Sequence, residues 1–217
     1  MKRRIYVFAT LLLCAFLTIG AQVFSVLADD GSVLDDLSQQ APTPTVKESE
    51  IINVFSDHFS NPKGVSLGSA IKGAILSTDK FGATDNFVYV DSMKGGSKAG
   101  ILFSEAIDVT EYDSIHFDVY PINADLRPRI TLADSDGNGS STSANYAATL
   151  GTAPKGQWTS FNLSVSTLVG QLSTKPDITK LKSLWLFDKG GGIRYYLVDN
   201  IYFNLHISYP RQKASNR

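Results

Sequence analysis

Asp113-Ser114-Ile115-His116-Phe117-Asp118-Val119-Tyr120 alternates apolar and polar residues with a period of two. A strand points successive side chains to opposite faces, so Ile115, Phe117 and Val119 are expected to face a core and His116, Asp118 and Tyr120 to face away. The pattern repeats outward from this stretch. Runs rich in β-branched and aromatic residues occur at Ile52–Phe55, Ala74–Ser77, Phe87–Val90, Gly100–Phe103, Ser114–Tyr120, Arg129–Ala133, Asn145–Leu150, Trp158–Val165, Leu181–Phe187 and Tyr195–Leu205. Gly, Asn, Asp and Pro separate them, as between short strands. Only Ser166–Leu172 reads as a helical turn. Without strand–helix alternation a parallel α/β sheet is excluded. The expected fold is all-β, a two-sheet antiparallel β-sandwich of jelly-roll type over residues 51–207, followed by a tail at 208–217.

The chain has 217 residues, 43% apolar and 19% charged, with a formal net charge of −1. That suits one globular domain with a linker to spare, and it is too apolar for a disordered chain. It is not basic enough to be built for nucleic acid. Lys2-Arg3-Arg4, the apolar run Ile5–Leu27 and the exit Val26-Leu27-Ala28 read as a secretory signal peptide over 1–28, with an uncleaved anchor as the other reading. A lipoprotein reading at Cys14 is weaker, because Leu13 precedes it and apolar residues follow. Without this segment 17 bases stand against 21 acids, and the only cysteine is gone. The expected location is therefore secreted, cell-surface or periplasmic, with no thiol chemistry and no membrane association after processing. Residues 29–50, with Ala41-Pro42-Thr43-Pro44-Thr45, read as a flexible linker.

Signals for catalysis are thin. Gly64-Val65-Ser66-Leu67-Gly68 matches G-x-S-x-G but lacks the strand-to-helix setting that a nucleophile elbow requires, and reads as a turn. Glycosidases usually need two carboxyls, one of them held protonated; beyond residue 50 the only glutamates are Glu105 and Glu111, beside turn residues. His58, His116 and His206 show no metal spacing and read as surface or sheet-edge residues. Gly190-Gly191-Gly192 lacks the partners of a phosphate loop and reads as a hairpin turn. Asp134-Ser135-Asp136-Gly137-Asn138-Gly139 begins like a calcium loop, but its twelfth position is Asn145 and its flanks are strands; a polar turn is favoured.

Three further stretches are informative: Ile52-Asn53-Val54-Phe55-Ser56-Asp57 at the domain start, Trp158-x-x-Phe161-x-Leu163, and Ile178–Phe203 with its closing Asp199-Asn200-Ile201-Tyr202-Phe203. Together with Ile178, Leu181 and Leu184 and the Asp113–Tyr120 stretch, they resemble the galactose-binding-like β-sandwich modules found beside glycoside hydrolases in secreted bacterial proteins. The resemblance spans about residues 51–205. It implies non-catalytic binding of a polysaccharide or oligosaccharide, with a glycoside hydrolase or a surface assembly as partner. It also implies a structural calcium where the first and last strands meet, at Asp57 and Asp199, unless Asp199 simply caps strand contacts.

The aromatic residues are the candidate platform. Trp185 and Phe187 share one face of their strand, opposite Leu184 and Leu186, and the indole N–H makes Trp185 the better candidate for the exposed side. Tyr146, Tyr195 and Tyr196 are expected to join it, with Arg127, Arg129 and Asp188 as hydrogen-bonding partners for sugar hydroxyls. For each aromatic the alternative is core packing, and Trp158 reads as structural. The leading expectation is an exported carbohydrate-binding sandwich. A structural or adhesive surface domain that binds proteins is the rival, and a glycoside hydrolase comes third.

Overall fold

The computed structural model describes residues 40–66, 70–71, 74–81, 85–92, 98–140, 148–190 and 193–205. The chain divides into two units, Met1–Gln40 and Ala41–Arg217. The expected signal peptide, the first half of the linker, Tyr146, His206 and the C-terminal tail lie outside the described residues.

Twelve strands follow a short 3-10 turn at Glu48–Glu50: β1 Ile51–Phe55, β2 Val65–Ser66, β3 Ala70–Ile71, β4 Ala74–Phe81, β5 Asp85–Ser92, β6 Lys98–Ile107, β7 Tyr112–Pro121, β8 Pro128–Asp134, β9 Ala148–Thr149, β10 Thr159–Ser164, β11 Leu181–Asp188 and β12 Arg194–Leu205. They form two sheets. Sheet A runs β10-β7-β12-β5-β4, with β1 also on β12; sheet B runs β2-β6-β11-β8-β9, with β3 also on β6. Every pairing given by the strand registers is antiparallel. The architecture is the expected all-β, two-sheet antiparallel sandwich.

The alternation in β7 sends Ile115, Phe117 and Val119 into the core, none of them more than 0% exposed. Val198 and Phe203 of β12 join them from sheet A, and Ile130, Leu132, Leu184 and Leu186 come from sheet B. Phe103 and Phe203 meet edge to face across the two layers, with ring centroids 6.1 Å apart. Helix α1, Val165–Gly170, closes one end with buried Val165 and Leu168. Ser164 caps it, its hydroxyl accepting from the Thr167 amide, as short polar residues do at helix starts.

Several local expectations change. Val65–Ser66, read as part of a turn, is instead a strand paired to β6, while Leu67 and Gly68 lie outside the described residues. Strands β11 and β12 belong to different sheets, so no hairpin joins them at the triglycine, of which Gly191 and Gly192 lie outside the described residues. His116 sits on β7, an inner strand of sheet A, not an edge; its ring stacks on Tyr202 at 4.5 Å. Asp118 and Tyr120 point away from the core yet are buried, because other residues roof the outer face of sheet A. Phe59 packs on Tyr202 and Trp158 on Tyr120. Ala41 is buried and the Pro42 carbonyl accepts from Asn200, so contact with the sandwich begins inside the stretch read as linker.

The Asp134 loop is a hydrogen-bonded turn. One carboxylate oxygen accepts the backbone N–H groups of Asp136 and Asn138; the other accepts the Asn138 side chain and the Asp177 N–H, each at 2.9 Å. With N–H donors facing both oxygens, the loop is satisfied without a cation. Burial works to raise the Asp134 pKa, but the donors from Asp177, Asn138 and Asp136 outweigh it and hold the group below its ordinary value. A lowered folded-state pKa gives stability that is present above the unfolded value and lost as pH falls through the folded one. Asp134→Asn is therefore expected to cost about 1–3 kcal/mol near neutral pH. In urea titrations the gap to the parent chain should narrow as the pH drops below about 4. A constant gap down to acid pH would show that the carboxylate charge is not what holds the turn.

Candidate functional site

Of the sequence-predicted ligand residues, Trp185, Phe187 and Arg129 lie on sheet B and Arg127, Asp188 and Tyr195 at the rim beside it. The β11 register sets Trp185 opposite Gly100 of β6 and Thr131 of β8, and Phe187 opposite Arg129. Arg129 is half-buried. Phe187 is placed by this register alone.

Trp185 does not present an open ring. It is 5% exposed, and its indole lies across Gly100, where an added Cβ would stand 2.9 Å from the ring carbons. Its N–H donates to the Ser183 hydroxyl, two residues earlier on the same face, at 2.9 Å. The polar group that argued for exposure is thus satisfied inside the protein. Neighbouring Thr131 is buried and donates to the Gly139 carbonyl at 2.9 Å, which folds the loop after β8 back over this face. A side chain at Gly139 would run into the Leu132 carbonyl.

Tyr196 also departs from expectation. It is 2% exposed and belongs to the core cluster, because the β12–β7 register places it with Pro121 on the inward side. Asp188 is buried and already engaged: one oxygen accepts the Arg127 N–H at 3.1 Å and the other meets the Arg194 guanidinium at 2.9 Å. It holds the rim together rather than offering itself to a ligand.

The rest converges on one end of the sandwich. Arg127 is exposed at the entry to β8, and its carbonyl accepts the Lys189 N–H at 2.9 Å. Tyr195 is half-buried at the start of β12, and its N–H donates to the Asn123 side chain at 3.0 Å. The Asn123 amide reaches the Ile193 carbonyl at 3.2 Å. Ile193 is 47% exposed, the one exposed large apolar side chain among the described residues. Arg127, Arg129, Asp188 and Tyr195 are therefore brought to one neighbourhood; Trp185 lies inward along sheet B and Tyr196 in the core.

At the other end, beside α1, a hollow of about 780 Å³ is lined by residues including Tyr112, Asn162, Val165, Val169, Lys175 and Ile178. No sequence-predicted ligand residue lines it.

The calcium pair implied by resemblance is split. Asp199 is 0% exposed, whereas Asp57 is exposed. The acid set opposite Asp199 is Asp118, itself 1% exposed. Asn200 lies between them, its backbone N–H donating to Asp199 at 2.6 Å and its side-chain amide to Asp118 at 2.7 Å. Ser56 donates to the Asn200 carbonyl oxygen at 2.6 Å. Two buried carboxylates with hydroxyl and carbonyl oxygens nearby make a hard-oxygen donor set of the kind calcium takes. No group of three His, Cys, Asp or Glu side chains gathers among the described residues, so backbone and hydroxyl oxygens would have to complete the shell. Asp118 and Asn200 were missed as polar partners because their meeting depends on strand register, which the letters do not specify.

No protein-family model matches the chain, and no curated protein matches it. Among solved structures it is similar to carbohydrate-binding modules. A family 11 module from Clostridium thermocellum, in complex with a β-1,3-1,4-mixed-linked tetrasaccharide, has a TM-score of 0.42 and 16% identity over 63% of this chain and 86% of its own. A family 30 module from a cellulosomal cellulase of the same organism has a TM-score of 0.49 and 10% identity over 72% and 98%. The family 22 xylan-binding domain from Paenibacillus barcinonensis has a TM-score of 0.45 and 14% identity over 77% and 97%. At these values the fold rests on the chain's own strand pairing.

The Gly100–Trp185 contact gives a direct test. Gly100→Ala is expected to push the indole off β6 and cost about 1–3 kcal/mol, as overpacking does. In a Trp158→Phe background, tryptophan emission should shift to the red. Unchanged emission and stability would mean that the ring does not lie on Gly100.

Proposed function

We propose that this chain is a non-catalytic carbohydrate-binding β-sandwich of an exported protein, serving to hold a glycoside hydrolase or a surface assembly on polysaccharide. The observation that supports this reading is the patch formed by Arg129, the Phe187 register position and the adjoining rim of Arg127, Asn123 and Tyr195. A planar guanidinium beside aromatic positions supplies directional hydrogen bonds and ring contact together, the combination that a sugar's hydroxyls and C–H faces require. The charged segment Lys2-Arg3-Arg4 and the apolar run behind it support export.

The carboxylates favour binding over hydrolysis. A glycosidic acid needs a raised pKa, but each resolved carboxylate shift among the described residues runs downward. A hydrogen bond and charge from Lys63 lower Glu105. Hydrogen bonds from Thr179 lower Asp177.

Affinity electrophoresis of the exported chain through gels carrying soluble polysaccharides tests the reading. Retardation by at least one polysaccharide is expected, and Arg129→Ala should weaken it about tenfold, the loss of roughly one charge-assisted hydrogen bond. Arg129→Lys keeps the charge but loses the planar fork, and should recover only part of the binding. Migration unaltered by every polysaccharide would remove the carbohydrate reading in favour of a protein-binding surface domain.

A structural calcium at Asp199 and Asp118 is part of the same proposal. It predicts a higher melting temperature in calcium than in chelator. Equal melting temperatures would dispose of the metal and leave Asn200 bridging the two acids.

A further inference from the structure

We propose that the glycan is anionic, bearing uronate carboxylates or sulfate esters, and that the rim where β8 begins and β11 ends takes its charged groups. This inference rests on the carbohydrate-binding reading and names its ligand class.

Arg127, Lys155 and Lys189 are all exposed, and none forms an ion pair among the described residues. Main-chain hydrogen bonds bring them together. The Lys189 N–H donates to the Arg127 carbonyl at 2.9 Å. Leu126 and Ala153 exchange reciprocal bonds of 2.9 and 2.7 Å, which hold the segment of Lys155 against that of Arg127. The Lys155 N–H donates to the Asp125 carboxylate at 2.9 Å.

Of the nearby acids, Asp188 is neutralised by Arg194, whereas Asp125 is exposed and keeps its charge. Asp188 is buried against Arg194 and the Arg127 N–H, and Asp125 accepts the Lys155 N–H. Three lysines away from the rim have carboxylates of their own: Lys63 with Glu105 at 2.7 Å, Lys180 with Asp136 at 2.6 Å, and Lys47 with Glu50 at 3.4 Å. Lys182 donates to the Ser104 carbonyl at 2.9 Å, and Lys175, at the far end, stands by itself among the described residues. Three exposed cations against one exposed carboxylate, Asp125, leave this rim with an excess of positive charge in a chain of net charge −1. Like charges held close repel, and a polyanion relieves that repulsion while it binds. Arg129, two residues beyond Arg127 and half-buried, adds a further positive charge beside these cations. The open cations and the ring positions lie at the same end, so one glycan chain can reach both.

Affinity gels carrying polygalacturonate, a sulfated galactan or a neutral mixed-linked glucan, run with the full exported chain, test the inference. The acidic gels should retard the protein more than the neutral one. Raising salt from roughly 50 to 500 mM should release most of that retardation. The triple variant Arg127→Ala, Lys155→Ala, Lys189→Ala should bind acidic glycan about tenfold more weakly, whereas Lys175→Ala at the far end should not. Melting curves establish that the variants fold, and the single changes Arg127→Gln and Lys189→Gln should each show part of the loss. Equal, salt-insensitive retardation by the neutral glucan would overturn the anionic class and leave carbohydrate binding standing. Retardation by no polysaccharide would overturn both. Equal loss in Lys175→Ala would trace binding to overall charge, and DNA bound as tightly as acidic glycan would mark a polyanion site with no glycan preference; either outcome overturns the assignment.

Discussion

The Asn200 side chain lies between two carboxylates that the β7–β12 register sets opposite each other, Asp118 and Asp199, both shielded from water. Burying two like charges side by side is costly unless donors or a cation face them. Asn200 supplies an N–H to each, from its backbone and its side chain. It does so from a left-handed backbone position, φ 51°, which asparagine tolerates better than most residues. The same side chain accepts from Ser56 and donates to the Pro42 carbonyl, tying the segment that roofs sheet A to the strand at its middle. His116 stands 3.2 Å from Asp118 and stacks on Tyr202. Burial first, and the Asp118 charge second, push the Tyr202 hydroxyl well above its ordinary pKa. The outer side of β7 and β12 therefore carries a buried polar layer in which Asn200 links both acids to the covering segment.

That sealing bears on where a ligand can bind. The outer side of β7 and β12 is covered by Phe59, Trp158 and the Ala41–Pro42 stretch. The centre of sheet B is closed by Trp185 lying on Gly100 and by the loop that reaches Thr131. Open polar groups remain at the rim, where strands of both sheets end and the chain crosses from β11 to β12. Loops on a rigid scaffold commonly carry recognition, and here hydrogen bonds from Asn123 and Asp188 stiffen them.

The period-two stretches were readable because each strand buries one face. The runs beginning at Ser114, Arg129, Leu181 and Tyr195 match their strands within about two residues at each end. The two-residue strands β2 and β3 carry no such signal, since two residues cannot show a period. Register and sheet assignment were not readable. The letters place Trp185 opposite Leu184 but cannot tell that Ser183 satisfies its indole, nor that Arg194 neutralises Asp188. Tyr196 and Tyr195 are adjacent in sequence, yet one is core and the other rim. Of the predicted site, the arginines and Tyr195 came together at the rim, while the tryptophan's burial follows from a glycine on a strand distant in sequence.

That glycine and the indole above it behave as one unit of inheritance. A methyl group at position 100 and a ring at position 185 compete for the same volume, so neither position is free to vary alone. Among homologous chains the two are expected to covary: a larger residue at 100 should accompany a smaller one at 185. Where both change, the centre of sheet B opens and the ligand surface can spread from the rim onto the strands.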